Sequence, residues 1–293
     1  MTEQEVRHGT VTPGVERRPR LIVRDGETVS LKAVILCGGQ GTRLREETEY
    51  RPKPLVPIGN RPILWHIMKT YAAFGITDFV LALGYKGEMI KDYFLNYDLL
   101  NHDFRMQLGS KQIDRLAAST DEANWTVTFV DTGGSTGTGG RLKRLEPYLA
   151  QEQRFLVTYG DGVSDVDIDA LLAFHDGARC TATVTGVRPL ARFGELVVRE
   201  DRVVSFAEKP ASGDGWINGG YFVMTPQVFD RIADDGTALE GQPLEGLARD
   251  GQLAVYKHGG FWQPMDTYRE MQQLNALWQS GHPPWVRHWR LAA

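Results

Sequence analysis

The residues of this 293-residue chain with the clearest chemical potential are charged side chains set among glycines and prolines. The first group is Leu36-Cys37-Gly38-Gly39-Gln40-Gly41-Thr42-Arg43, directly after an apolar run. Three glycines in four positions let the backbone approach a ligand closely, and successive amides can cradle phosphate oxygens. The stretch opens like a dinucleotide fingerprint, but Leu44 stands where the third glycine belongs, and the Gly-Lys-Ser/Thr ending of a P-loop is missing. Arg51-Pro52-Lys53-Pro54 follows, where two prolines forbid a long regular helix. A glycine-rich turn with solvated charges fits these residues as well as a phosphate cradle does.

The second group is Thr158-Tyr159-Gly160-Asp161-Gly162, at the end of another apolar run. A carboxylate at the carboxyl end of a core strand lies where open α/β sheets bind ligands. Asp161 there suits Mg²⁺, which takes one or two protein carboxylates and completes its shell with water and phosphate; a plain turn aspartate is the competing reading. Asp266, in Phe261-Trp262-Gln263-Pro264-Met265-Asp266-Thr267, is a second candidate ligand, although in isolation it reads more readily as the N-cap of the helical pattern behind it. Spacing alone does not bring the two carboxylates together.

Two further groups complete the set. Asp131–Arg141 holds five glycines and a Gly-x-Ser-x-Gly pentapeptide at 133–137. A hydrolase elbow needs a sharp strand–nucleophile–helix turn, and the glycines here extend well beyond the pentapeptide, which disfavours it. A flexible loop wrapping a planar or phosphorylated ligand fits better, and a plain surface loop remains open. Glu208-Lys209-Pro210, followed by Asn218-Gly219-Gly220, offers a carboxylate for hydroxyls, an ammonium for a phosphate, and glycines for close approach; an exposed Glu-Lys pair at a turn is the alternative. None of the seven histidines forms a metal-binding array, and His66, inside a helical pattern, reads as a packing residue.

These groups need a scaffold, and the apolar pattern supplies one. From Lys32 onward strand-like and helical stretches alternate: strands at 33–36, 79–83, 127–130 and 155–159, with helices at 62–74, 88–96, 142–149 and 168–175. Such alternation predicts βαβ units around a mainly parallel sheet flanked by helices, a Rossmann-like α/β fold. Beyond about residue 180 the pattern turns strand-rich, and a helix is expected from about 268 to 278. Residues 1–30 are polar and charged and read as an extension of loose or edge structure outside a single catalytic domain, 31–293.

Composition narrows the function classes. Apolar residues make up 42% and charged residues 24%, enough for a packed core. The longest apolar runs, Ala33–Cys37 and Phe79–Leu83 among them, are far short of the roughly 20 residues of a membrane-spanning helix. Residues 1–20 lack the apolar stretch of a secretory signal. A net charge of −4 argues against a general nucleic-acid binder. Cys37 and Cys180, both in apolar strand-like segments, read as buried thiols of a reducing compartment, so the cytoplasm is the expected location.

Taken in order, these motifs resemble the sugar-nucleotide pyrophosphorylases, a family of nucleotidyltransferases. The likeness rests on Gly38-Gly39-x-Gly41-Thr42-Arg43-Leu44, Pro52-Lys53-Pro54, Ile63–Lys69, Tyr159-Gly160-Asp161-Gly162, Glu208-Lys209-Pro210 and Ile217-Asn218-Gly219-Gly220, and runs from about 31 to 289. The Asp131–Arg144 and Phe261–Thr267 segments point to the cytidylyl branch, which makes CDP-glucose and pyrophosphate from CTP and glucose 1-phosphate. Thymidylyl or uridylyl transfer on the same fold and a non-catalytic nucleotide-sugar sensor are the alternatives. The first loses ground because a Gln-Pro-x-Pro-x-Gly-Leu type of loop is missing after Val130. The second loses ground because sensing does not require the whole charge set.

The resemblance implies a role for each position. Leu36, Cys37, Gly38, Gly39, Gln40, Gly41, Thr42 and Arg43 would wrap the nucleotide, with Arg43 near its β/γ-phosphates and Lys53 near the α-phosphate. Thr136 and Arg141 would belong to the cytidine side, and Gly160 would contact the nucleoside. Asp161 and Asp266 would hold Mg²⁺. Glu208, Asn218, Gly219 and Gly220 would line the sugar subsite, and Lys209 would meet its phosphate. Arg43, Lys53, Asp161 and Lys209 would carry catalysis. A homo-oligomer, commonly a hexamer, is also implied. Cys37 departs from the family's usual alanine and Arg51 from its common lysine; neither removes a required charge.

Overall fold

The computed structural model describes residues 21–24, 27–116, 122–188, 195–199, 202–207 and 215–289. Seven strands form the central sheet: β1 (Lys32–Cys37), β2 (Asp78–Leu83), β3 (Thr126–Asp131), β4 (Phe155–Tyr159), β5 (Ala182–Val187), β6 (Ile217–Met224) and β7 (Leu253–His258). Their spatial order is β7-β5-β6-β4-β1-β2-β3. All neighbours pair in parallel except β6, which runs antiparallel to both β4 and β5. The expected mainly parallel α/β sheet is therefore present.

The continuous apolar runs of β1 and β2 follow from their place inside the sheet, because both faces are covered. On one face Ala33, Ile35, Cys37, Phe79, Leu81 and Leu83 join a core with helices α1 (Ile63–Ala72) and α4 (Ile168–Ala178). On the other, Val34, Leu36, Val80 and Ala82 pack with the region of α3 (Thr138–Arg144) and α5 (Gln242–Arg249). Helix α2 (Gly87–Leu95) follows β2, and α6 (Tyr268–Gln279) lies towards the C-terminus.

Several boundaries differ from the sequence expectation. The helix expected at 142–149 is two, Thr138–Arg144 and Glu146–Leu149, so Gly139 and Gly140 are helical rather than part of a loop. Strands Leu21–Arg24 and Glu27–Ser30 pair as a small hairpin within the N-terminal extension, whose residues 1–20 lie outside the described residues. Among the described residues three further hairpins stand outside the central sheet, Pro57–Ile58 with Arg61–Pro62, Phe104–Gln107 with Gln112–Arg115 and Glu195–Arg199 with Arg202–Ala207. Among the described residues no helix is long and apolar enough to cross a membrane.

Candidate active site

The site begins with a ribbon too short to read from sequence. Gly162–Ser164 pairs antiparallel with Trp262–Pro264, in register Gly162 with Pro264, and Met265 N–H donates to the Asp161 carbonyl at 2.8 Å. This pairing brings Asp161 and Asp266 side by side although 105 positions separate them. On the far side Asp266 is anchored by a helix cap. Thr267, not Asp266, is the N-cap of α6: its hydroxyl accepts from the Glu270 amide, and the Glu270 carboxylate accepts from the backbone N–H of both Thr267 and Asp266 at 2.9 Å. The expectation that Asp266 caps the helix is corrected by one residue. Its side chain is thereby left for the site, in keeping with the reciprocal bonding of a capping box.

Both carboxylates reach the same cation. Lys53 Nζ lies 2.6 Å from Asp161 Oδ2 and 2.6 Å from Asp266 Oδ1, and Arg43 approaches the other Asp266 oxygen at 3.0 Å. Pro52, in extended conformation, and Pro54 flank Lys53 and hold it in a single 3₁₀ turn, Lys53–Leu55. Burial lowers the proton affinity of Lys53, but the two carboxylates outweigh it and hold the ammonium above the ordinary lysine range. Arg43 is 70% exposed, free to turn towards an incoming ligand.

The glycine loop leaves β1 above this cluster. Gly41 has φ 63°, and a side chain there would meet Thr48, whose hydroxyl donates back to the Gly41 carbonyl at 3.1 Å. Gly39, Gln40, Thr42 and Arg43 are exposed. Leu36 and Cys37 are buried, so only their backbone is available, and the Leu36 carbonyl already accepts from Gly160 N–H at 3.1 Å. Burial, with Asp161 nearby, pushes the Cys37 thiol well above its ordinary range, which keeps it neutral and unreactive.

Arg141 is nearly fully buried and knits the strand ends together. Its guanidinium donates to the carbonyls of Gly38 (3.0 Å), Leu83 (3.1 Å), Gly133 (2.6 Å) and Gly134 (3.4 Å) and to the Thr132 hydroxyl (2.8 Å). Gly38 and Gly84 are glycines for this reason: a Cβ on either would fall within 2.3 Å of a guanidinium nitrogen. Thr136, half-buried, sits at the turn beside Gly133. The glycines at 137–140 serve close packing. Gly137 N–H donates to Asp235 O (2.7 Å), Gly140 N–H donates to Thr237 O (3.1 Å), and the Arg144 guanidinium pairs with the Asp235 carboxylate. The flexible ligand-wrapping loop expected at 131–141 is in its second half a helix start clamped by residues 235–239.

Asn218, Gly219 and Gly220 open β6 beside the end of β4. Gly220 N–H donates to Asn218 Oδ1 at 2.8 Å, and Trp262 Nε1 donates to the Gly219 carbonyl at 2.7 Å. Glu208 and Lys209 lie outside the described residues. Sequence reasoning missed Gly84, Thr132, Tyr159 as a side chain, Glu240 and Glu270. A capping box, Thr267 with Glu270 three positions on, was the one legible signal among these. The described residues contain no cluster of three or more acidic, histidine or cysteine side chains suited to a metal. The Asp161–Asp266 pair nevertheless has the donor chemistry of a magnesium site, hard oxygens converging where a cation already sits.

Comparison with known proteins places the chain in a family. A glucose-1-phosphate cytidylyltransferase of Salmonella typhimurium is 49% identical over 87% of this chain and 98% of its own. A Bacillus subtilis relative, named "Probable glucose-1-phosphate cytidylyltransferase", is 44% identical over 87% of this chain and 99% of its own. The crystal structure of HddC from Yersinia pseudotuberculosis shares the fold, with a TM-score of 0.63, 23% identity, and coverage of 85% of this chain and 99% of that one. The Nucleotidyl transferase family profile matches residues 32–263, and the chain belongs to that family.

Proposed function

We propose that this chain transfers a cytidylyl group from CTP to α-D-glucose 1-phosphate, giving CDP-glucose and pyrophosphate. The observation that carries the reaction class is the convergence of Lys53, Arg43, Asp161 and Asp266 on one point at the carboxyl end of the sheet. The choice of base and sugar is supported by the two relatives of 44% and 49% identity.

A sugar 1-phosphate, with a second pKa of about 6 like other phosphomonoesters, is mostly a dianion at neutral pH and needs no general base. One of its oxygens attacks the α-phosphorus of CTP; the bond from that phosphorus to the β-phosphate oxygen breaks, and pyrophosphate leaves with the electron pair. The barrier is repulsion between two polyanions, so catalysis consists of positioning and charge neutralisation. Asp161 and Asp266 would hold Mg²⁺, which when bound supplies positive charge to the triphosphate. Lys53, already charged and buried beside them, answers the α-phosphate; the exposed Arg43 reaches the outer phosphates; and the amides of 38–42 cradle phosphate oxygens. Arg141 keeps the loop walls at their spacing beside the cytidine. Glu208 and Lys209 complete the sugar side with Asn218.

The test is pyrophosphate release from glucose 1-phosphate and Mg²⁺ with CTP, UTP, dTTP, ATP or GTP. Fastest release with CTP, and CDP-glucose as the product, is expected. Preference for UTP or dTTP would transfer the assignment to the uridylyl or thymidylyl branch, and no release with any nucleotide would overturn catalysis altogether. We extend the proposal to self-assembly. Leu95 and Leu108 are 81% and 75% exposed, and the 104–115 hairpin, whose turn carries Leu108, is exposed at every strand position, whereas a lone two-stranded hairpin is marginally stable in water. Sedimentation velocity should give a multiple of the chain mass that Leu108→Glu reduces; a monomer at micromolar concentration would remove the claim.

A further inference from the structure

On the proposed sugar side the amide of Asn218 is not free to turn. Its Oδ1 accepts from Gly220 N–H at 2.8 Å, and its Nδ2 donates to the Tyr159 hydroxyl at 3.2 Å. The Tyr159 hydroxyl in turn donates to Glu240 Oε1. With its own proton given to Glu240, the Tyr159 oxygen can only accept from Asn218, and this settles which end of the amide faces it. Glu240 is itself held, since Thr138 Oγ1 donates to its other oxygen at 2.6 Å and Leu239 N–H donates to Thr138 Oγ1 at 2.9 Å. Tyr159 is pinned from behind: Gly220, at φ 77°, leaves room for its ring, where a Cβ would come within 2.5 Å of Cδ2.

We propose that Glu240, acting through the Tyr159 hydroxyl, fixes the Asn218 amide so that its remaining N–H is presented as a donor to one hydroxyl of the hexose 1-phosphate. Asn218 touches the sugar; Tyr159 and Glu240 are positioning residues. The inference rests on the sugar-side placement of Asn218 in the proposed function and adds the polarity of that contact and the residues that enforce it. Among the described residues no group takes the second Nδ2 hydrogen. An amide free to flip would offer either its oxygen or its nitrogen; one locked by Tyr159 and Gly220 requires an acceptor. The same relay joins the two sides of the cleft, because Thr138 opens the helix that carries Arg141.

The experiment uses the full chain with glucose 1-phosphate and its monodeoxy and monofluoro analogues. Fluorine accepts weakly but does not donate, so it partly replaces a hydroxyl that receives an N–H. The wild type should lose efficiency with one deoxy analogue and recover part of it with the fluoro analogue at the same position. Tyr159→Phe and Glu240→Ala should raise KM for glucose 1-phosphate by about 3–10-fold, as expected for one hydrogen bond, leave KM for CTP within about twofold, and abolish the deoxy–fluoro difference. Glu240→Gln, which retains an acceptor for the tyrosine, should restore most of the wild-type pattern. Equal increases in both KM values, or an unchanged analogue pattern in Tyr159→Phe, would overturn the relay. Asn218→Ala is the separate arm: if it leaves KM for glucose 1-phosphate unchanged, the sugar-side placement itself fails. Thermal unfolding of each variant identifies one that has lost its fold, and Glu240→Gln then decides the question alone.

Discussion

Two buried ionisable groups, Lys53 and His66, sit at the centres of two quite different regions. Lys53 is nearly buried yet charged, because Asp161 and Asp266 each place an oxygen 2.6 Å from its nitrogen. His66 is completely buried and neutral. Its Nε2–H donates to the Ile58 carbonyl at 3.0 Å and its Nδ1 accepts from Trp285 Nε1–H at 3.3 Å, while Trp65, Trp278, Trp285 and Trp289 surround the ring. Burial, opposed by the Ile58 hydrogen bond, lowers its pKa to about 4. Desolvation acts against charge in both places, and the partner decides the outcome. The lysine cluster gathers paired charge at a strand end where Arg43 is 70% exposed. In the histidine nest both ring nitrogens of His66 are bonded within the fold, and the surrounding indoles dock the C-terminal segment onto α1.

If that contrast is right, damage to the nest should cost stability and damage to the cluster should cost turnover. The largest effect is expected from Trp285→Ala, which removes a fully buried indole and should lower unfolding free energy by about 3–5 kcal/mol, read as a shift in the urea midpoint. Activity per folded molecule should stay within about twofold; a larger loss would make the nest part of the active site. Asp161→Asn should reverse the pattern. Turnover, followed as pyrophosphate release, falls by about 10²–10³-fold, while stability changes by only about 1–2 kcal/mol because Asp266 still pairs with Lys53. Near-normal turnover in a Mg²⁺ titration would remove Asp161 from the reaction. The smallest effect is the pH dependence. Between the ordinary histidine value of 6.5 and about 4 the unfolded chain binds a proton at residue 66 and the folded chain does not. The stability assigned to neutral His66 is therefore complete above 6.5 and is lost as pH falls through that window, at up to about 1.4 kcal/mol per pH unit. Subtracting the profile of His66→Gln from that of the wild type isolates this slope, and superimposable profiles would show that the histidine is free to protonate in place.

Much of the scaffold was legible because its signals are local. The runs at 33–37 and 79–83 are uninterrupted because both faces of β1 and β2 are covered. The helix α1 announced itself by a proline at its start and Gly75 beyond its end. Helix α5 was missed: at eight residues, with Gly241 at its cap and Pro243 and Gly246 inside, it carries little helical signature. The glycines at 137–140 suggested looseness, whereas the packed structure uses them for contact with 235–239, an interaction with no trace in their own neighbourhood. Asp266 resembles a cap in sequence because carboxylates and hydroxyls compete for that role, and here the adjacent Thr267 takes it.

Where the chemistry-bearing residues cluster along the chain was determined by the sequence alone, since glycine spacing, paired prolines and isolated carboxylates at strand ends are properties of the chain. That Asp161 and Asp266 share one cation, that Arg141 spends its hydrogen bonds on the walls of the cleft, and that Glu240 reaches Asn218 through Tyr159 were decided only by the tertiary structure. The reason is geometric: three-residue strands have no periodicity to read, and hydrogen bonds spanning 59 to 213 residues leave no mark at either end until the sheet has formed.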